Sequence, residues 1–200
     1  MNTNIAHIVT NTIEMGNGVY IGDKLLTAAH VITKSNDFTA RSIIYQSNSA
    51  FSFNDTDYWY KKVLRILSLC KFGWDFDDFA IYKVDGSISP YTLSPDIPQI
   101  SETLDTYSVK QEQEKTDKTN IFLNSTIYVT HVDKAKVLYI RGNYIFCEMD
   151  GMLEKGRSGC PLIKDNKVYG ILRGGDDKKL CWFQSSVSIL KRLREQGISI

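Results

Sequence analysis

Three short segments of the chain carry side chains whose types and order suit nucleophilic catalysis. They are T-A-A-H-V around His30, D-D-F-A-I around Asp78 and G-R-S-G-C-P around Ser158. A serine hydroxyl is a poor nucleophile at neutral pH and needs a base that removes its proton. Histidine suits that role because its ordinary pKa is about 6.5, and a carboxylate beside it fixes the tautomer and stabilises the imidazolium. Each motif alone is common, but the three together predict acyl-transfer chemistry.

The serine lies in a glycine-rich turn that can present backbone N–H groups to a developing negative charge. Gly156 and Gly159 flank Arg157 and Ser158, and glycine adopts the positive φ angles that tight turns require. Backbone donors aimed at one point stabilise the oxyanion of a tetrahedral intermediate. We expect the N–H groups of Gly156 and Ser158 to be those donors.

The elements that must position these residues are short strands. Gly18–Ile21 and Lys24–Thr27 flank the pair Gly22–Asp23, which is typical of a hairpin, and Phe79–Val84 is a further apolar strand. The second half of the chain shows the same pattern of short strand-like runs separated by turns, and only Ser186–Gln196 shows helical periodicity. Many short strands with one terminal helix indicate an all-β fold of antiparallel barrels or sandwiches.

Composition excludes several classes of protein. The 200 residues are 42% hydrophobic with a formal net charge of +1, which is not typical of a disordered chain or of a nucleic-acid-binding protein. No apolar run approaches the roughly 20 residues of a membrane-spanning helix. The four cysteines (Cys70, Cys147, Cys160 and Cys181) lie far apart, and the amino terminus has no signal-peptide pattern. We therefore expect reduced thiols, no metal site, no membrane association and a cytoplasmic setting.

The motifs T-A-A-H-V, D-F-A-I and G-x-S-G-x-P are similar to the signatures of the chymotrypsin-like serine peptidases, in the same chain order. The resemblance extends from about Gly16 to the C-terminal helix. It implies two antiparallel six-stranded barrels with the active site in the cleft between them, followed by the helix. Residues 1–88 would form the first barrel, residues 89–105 a linker, and residues 106–200 the second barrel and the helix.

The resemblance also assigns roles to the residues that match its motifs. His30 would be the general base and acid, Asp78 the orienting carboxylate and Ser158 the nucleophile. Gly156 and Ser158 would supply the oxyanion hole.

Two further acids and one thiol compete with these assignments. Asp75 and Asp77 lie close to Asp78, and a register slip of one residue would give the role to Asp77. The family places its acid immediately before an apolar strand, which favours Asp78. Cys160 follows the serine by two residues, and we interpret it as a packed side chain, with a reactive thiol as the alternative.

Two features depart from the secreted digestive members of the family. The chain lacks the I-V-G-G-type amino terminus that those enzymes expose on activation, and Arg157 stands where they have an aspartate that pairs with the freed α-amino group. We therefore expect activity without exact processing at residue 1. The alternative is that Arg157 pairs with an acid elsewhere, which the sequence does not identify, and shapes the oxyanion loop.

By the family's layout, two segments form the walls of the primary specificity pocket, and their expected substrate-binding residues are Met152, Leu172, Arg173 and Gly174. Met152 stands where an acid would select Arg or Lys, so we expect cleavage after a medium-sized apolar or uncharged residue, with Leu or Met preferred to Phe. Three acids near these walls would instead favour Arg or Lys: Glu154, Asp176 and Asp177.

These observations predict a serine endopeptidase that needs no cofactor or metal and acts on a protein or polyprotein. A viral polyprotein-processing protease and a bacterial trypsin-like peptidase both fit. A catalytically silent binding module on the same fold is the alternative from another class. A second alternative adds RNA binding, which the near-neutral charge disfavours.

Overall fold

The computed structural model describes residues 4–10, 13–32, 37–42, 50–54, 77–83, 89–113, 126–151, 153–176, 179–198 and 200. These residues form two β-sheets and two helices, which confirms the expected all-β class. None of the helices in this part of the chain has the length and apolar character needed to cross a membrane.

The first sheet contains six antiparallel strands in the order β5-β4-β1-β2-β3-β6. The strands are β1 (Ile5–Thr10), β2 (Ile13–Ile21), β3 (Lys24–Ala28), β4 (Asp37–Ser42), β5 (Ala50–Asn54) and β6 (Phe79–Lys83). The predicted hairpin is confirmed, since β2 pairs with β3 around Gly22, whose φ is +54°. The short helix α1 (Ala29–Ile32) follows β3 directly.

The second sheet has the order β11-β8-β9-β10-β13-β12-β7, and β11 also pairs with β12, which closes six of the strands into a barrel. Its strands are β7 (Thr92–Leu93), β8 (Thr103–Gln113), β9 (Thr126–Arg141), β10 (Tyr144–Met149), β11 (Pro161–Lys164), β12 (Lys167–Gly175) and β13 (Leu180–Ser185). The predicted terminal helix is α2 (Ser186–Glu195), and the Ser185 hydroxyl accepts a hydrogen bond from the Ser188 N–H at its start.

The two sheets share an apolar interior. One buried cluster joins side chains of both sheets and α2, including Ile5, Leu26, Val109, Ile171 and Ile189. A second cluster fills the closed barrel. Burial of this kind is the main stabilising contribution in a β-protein, and here it fixes the position of one sheet against the other.

The expected linker crosses from one sheet to the other. Ser89 N–H donates to the Gly22 carbonyl at 3.1 Å in the first sheet, and β7 pairs in parallel with β12 in the second. This two-residue parallel strand was not apparent from the sequence. The segment ends where β8 begins at Thr103; the exact domain boundaries stay a prediction.

Candidate active site

Strand register brings His30 and Asp78 together. Because β3 pairs with β6, with Ala28 opposite Phe79, the residues that follow Ala28 lie beside the residue that precedes Phe79. The Asp78 carbonyl accepts a hydrogen bond from Ala29 N–H at 3.2 Å, and its Oδ1 accepts one from His30 N–H at 3.0 Å. The side chains meet as well, with His30 Nδ1 2.6 Å from Asp78 Oδ2.

This pairing sets the chemistry of the imidazole. The Asp78 side chain is fully buried, whereas that of His30 is 33% exposed. A carboxylate at Nδ1 favours the tautomer with the ring proton on that nitrogen, in which Nε2 is the nitrogen that can accept a proton. The pair therefore has the arrangement of a general base with its orienting acid.

The neighbouring acid Asp77 points elsewhere. Its Oδ1 accepts a hydrogen bond from Gln184 Nε2 at 3.0 Å, and its Oδ2 accepts one from Arg192 Nε at 2.7 Å. Asp75, the other competing acid, lies outside the described residues. Of the two acids that the structure describes, Asp78 is the one that contacts His30.

Two side chains of the second sheet contact Asp78. Gln184 Oε1 accepts the Asp78 N–H at 2.6 Å, and Arg173 Nε lies 3.4 Å from Asp78 Oδ2. The register of β12 shifts between Leu172 and Gly174, so Arg173 occupies a bulge, a feature that often redirects a side chain near an active site. Burial and then the charge of Asp78 raise the pKa of the adjacent Tyr144 well above its ordinary range.

Arg173 was expected in a pocket wall, and Gln184 was missed altogether. Nothing in the sequence marks either residue as a partner of Asp78, because the contact depends on how β12 and β13 pack against β6. The Arg173 guanidinium instead lies beside the buried carboxylate.

The serine lies in the predicted turn, and both glycines there have the positive φ that the turn requires. These angles are +89° at Gly156 and +87° at Gly159. Gly159 N–H donates to the Leu172 carbonyl at 2.7 Å, and Cys160 N–H donates to the Arg157 carbonyl at 3.1 Å. The turn is thus fastened to β12 immediately after Ser158.

A glycine contact joins this turn to the helix that carries His30. A Cβ added at Gly16 would lie 2.5 Å from the Ser158 carbonyl oxygen and 2.7 Å from Val31 Cγ2. Both distances are too short for a real Cβ, so only glycine fits there. The segments of Ser158 and His30 therefore meet at Gly16, on the seam between the two sheets.

Asn17, which the sequence did not single out, connects the turn to both sheets. Its Nδ2 donates to the Gly156 carbonyl at 2.7 Å and its Oδ1 accepts the Val109 N–H at 2.7 Å. Its backbone N–H donates to the Ser158 carbonyl at 2.7 Å, and its carbonyl accepts the Thr27 hydroxyl at 2.6 Å. The residue is 1% exposed. The only sequence signal is its place between two glycines, which allow this close approach.

Cys160 is buried among the side chains of the closed barrel. Burial raises its pKa far above the ordinary range, so the thiol stays protonated at neutral pH. This environment favours the interpretation of Cys160 as a packed residue over that of a reactive thiol.

Comparison with known proteins identifies the family. The sequence model of the family described as the trypsin-like peptidase domain matches residues 16–171 of this chain. The chain belongs to this family.

Solved structures of trypsin-like peptidases share the fold. The active form of the Rv3671c protease from M. tuberculosis is 15% identical, with a TM-score of 0.63 over 100% of this chain and 83% of that one. Mouse neuropsin, a serine protease of the limbic system, is 15% identical, with a TM-score of 0.61 over 98% and 95%. Tobacco etch virus protease in complex with product is 16% identical, with a TM-score of 0.56 over 98% and 79%. No curated protein has a significantly similar sequence.

At these identities the structural likeness shows the fold alone. It confirms the expected double-barrel architecture of trypsin-like peptidases. In the described part of the chain, no group of three or more His, Cys, Asp or Glu side chains is arranged to hold a metal ion.

The residues expected in the walls of the specificity pocket lie in different surroundings. Met152 lies outside the described residues. Leu172 is 2% exposed and packs inside the closed barrel, so its side chain belongs to the core. A Cβ added at Gly174 would lie 3.3 Å from the Trp182 indole, and one at Gly175 would lie 2.0 Å from Leu153 Cδ1. The Leu153 side chain therefore lies against the backbone of Gly175.

Two of the three acids near these walls are engaged. The Glu154 carboxylate pairs with the ammonium of Lys110 on β8. Asp176 Oδ1 accepts the Leu180 N–H at 3.0 Å. Asp177 lies outside the described residues.

Proposed function

We propose that this trypsin-like peptidase domain is an active serine endopeptidase, with Ser158 as nucleophile, His30 as general base and acid, and Asp78 as orienting carboxylate. The observation that carries the proposal is the 2.6 Å contact between His30 Nδ1 and the buried Asp78 carboxylate. It is supported by the meeting of the Ser158 turn and the His30 helix at Gly16.

The reaction proceeds through an acyl-enzyme. Ser158 Oγ attacks the carbonyl carbon of the peptide bond while its proton passes to His30 Nε2, and Asp78 stabilises the imidazolium. The N–H groups of Gly156 and Ser158 stabilise the oxyanion. His30 returns the proton to the leaving amine as the C–N bond breaks. Water, deprotonated by His30, then hydrolyses the ester and restores Ser158.

The substrate is a protein or polyprotein that is cut after a medium-sized apolar or uncharged residue, and Leu or Met is preferred to Phe at that position. Support comes from the contact between Leu153 and Gly175, which leaves an apolar side chain in the expected pocket, and from the ion pair that engages Glu154. A desolvated cation would have to compete with Lys110 for that carboxylate.

A reducing compartment such as the cytoplasm is the proposed setting. Cys147 and Cys181 lie opposite each other on β10 and β13 and are both free thiols. Burial raises the pKa of Cys181 to about 12, so these thiols stay protonated at neutral pH. Two facing cysteines without a bond fit a compartment that keeps thiols reduced.

Cleavage of a peptide library, read by mass spectrometry, tests the proposal. The wild-type protein should cut peptides after apolar residues, and Ser158→Ala should cut none while it keeps the wild-type melting temperature. Cleavage by Ser158→Ala at the wild-type rate would refute the assignment of the nucleophile. A folded wild-type protein that cuts no member of the library would favour the binding module.

A further inference from the structure

The residue before the serine carries a buried charge that the catalytic mechanism does not use. Arg157 is only 7% exposed, and its Nη1 donates to Asp133 Oδ2 on β9. The Asp133 side chain is 16% exposed. A buried cation next to the nucleophile is costly unless it is paired, so this contact constrains the turn that carries Ser158.

The carboxylate of Asp133 is itself enclosed. A Cβ added at Gly151 would lie 2.1 Å from Asp133 Oδ1, so the backbone closes over the carboxylate. That backbone is fastened to β9, because Asp150 N–H donates to the Lys134 carbonyl at 3.0 Å and Asp150 Oδ1 accepts the Lys134 N–H at 2.8 Å. Asp133 is thus a fixed anchor for the arginine.

The backbone of the same turn sets the direction of the Ser158 N–H. That N–H and the Arg157 carbonyl belong to one planar trans peptide unit, in which they point in opposite directions. The Arg157 carbonyl faces the Cys160 N–H at 3.1 Å, so the Ser158 N–H points away from Cys160. That N–H is one of the two proposed oxyanion donors.

We propose that the Arg157–Asp133 pair is a built-in positioning device that holds the oxyanion turn in its working shape. It replaces, with reversed polarity and within one barrel, the pair that a freed α-amino group makes in family members matured by cleavage. This inference rests on the proposed peptidase activity. Arg157 and Asp133 are positioning residues, and the activity they support needs no processing at the amino terminus.

Neutralising one partner should harm the turn more than neutralising both. A single change leaves the other charge buried and unpaired, whereas the double change removes both charges. Arg157→Met and Asp133→Asn should each lower kcat by about tenfold or more, and KM should change by less than about threefold. The fold-loss in kcat of the Arg157→Met/Asp133→Asn double variant should be much smaller than the product of the two single fold-losses.

A matched control separates this pair from ion pairs in general. Lys164 and Glu102 form an exposed pair elsewhere on the same barrel, and its removal should leave kcat unchanged. The second readout is the affinity for a peptide boronate, which forms a tetrahedral adduct on Ser158 and so reports on the oxyanion donors. The Arg157 and Asp133 single variants should lose boronate affinity in parallel with kcat. Arg157→Lys, which keeps the charge, should recover part of both.

Three outcomes would overturn the inference while the peptidase activity stands. One is an active wild type whose folded single variants keep the wild-type kcat. Another is a double variant whose loss equals the product of the single losses. The third outcome concerns a protein with extra residues fused before Met1, which should keep kcat within about tenfold of the wild-type value. A fusion protein that is inactive until the extra residues are cut off would contradict the proposed role of the pair. An inert wild-type protein would instead refute the proposed function, and this inference with it.

Discussion

His30 and Asp78 lie beside the ends of two neighbouring strands of one sheet, whereas Ser158 lies in a turn that residues of both sheets hold in place. The first pair follows from the register of β3 and β6, which sets the contact between their ends. The turn depends on Asn17 from the first sheet and Asp133 from the second. Strand pairing within one sheet positions the proposed base and acid, and side-chain contacts from both sheets hold the turn of the proposed nucleophile.

The largest expected effect comes from a substitution that removes the proposed base. His30→Ala should lower kcat by about 10⁴-fold or more, because Ser158 then has no proton acceptor. The two residues act as a unit, so the His30→Ala/Ser158→Ala double variant should lose little more than either single variant. Single-turnover kinetics on a peptide cut by the wild type measures both. Multiplicative losses would contradict the assignment of the pair.

The next effect tests the register of the first sheet. Asp78→Asn should lower kcat by about 10³-fold or more, because the amide favours the wrong tautomer of His30. Asp77→Asn is the matched control and should change kcat by less than about threefold, since the Asp77 carboxylate contacts Gln184 and Arg192 instead. Steady-state kinetics of both variants decides between them. A full loss in Asp77→Asn with normal activity in Asp78→Asn would mean that the register is wrong.

The third effect probes the long-range support of the turn. Asn17→Asp keeps an acceptor for the Val109 N–H but loses the donor to the Gly156 carbonyl. It should lower kcat by about tenfold, roughly 1.4 kcal/mol in the barrier, with a smaller change in KM. Asn17→Ala, which loses both contacts without burying a charge, should also lower kcat. Wild-type kcat in a folded Asn17→Asp variant would show that the turn needs no support from the first sheet.

A smaller effect concerns specificity. Leu153→Ala removes the side chain that contacts Gly175 and should widen the space between the pocket walls. We expect the preference for Phe over Leu at the cleaved position to rise by about tenfold, the scale of one methylene group in an apolar pocket. Ratios of kcat/KM for matched peptides measure it. An unchanged ratio would place the pocket elsewhere.

The smallest effect concerns the thiol beside the turn. Because burial raises the pKa of Cys160, the folded protein should hold no reactive thiolate there, and iodoacetamide at pH 8 should leave the peptidase activity unchanged. Peptide mapping should find Cys160 unmodified until the protein is unfolded. Rapid alkylation of Cys160 with loss of activity would revive the reactive-thiol alternative.

The comparison also shows what the sequence could predict. Strand patterns predicted the all-β class, and the resemblance carried by the three motifs implied the double-barrel fold. The motifs of His30, Asp78 and Ser158 are visible in the sequence because they lie at the ends of strands or in a glycine turn. Asn17 and Asp133 carry no comparable signal. Their importance depends on side-chain contacts with the Gly156 carbonyl and the Arg157 guanidinium, which neither a motif nor a strand pattern encodes. The contact of Arg173 with Asp78 likewise has no sequence signal, since Arg173 occupies a register shift in β12 that the strand pattern does not reveal.

Labelling with a fluorophosphonate tests most directly whether His30 and Asp78 activate Ser158. The reagent forms a phosphorus–oxygen bond to an activated serine and releases fluoride. Peptide mapping should find one adduct per chain on Ser158 in the wild type, and labelling at a strongly reduced rate in His30→Ala. A folded wild-type protein that is not labelled, or that is labelled at Ser158 equally fast without His30, would contradict the proposed mechanism.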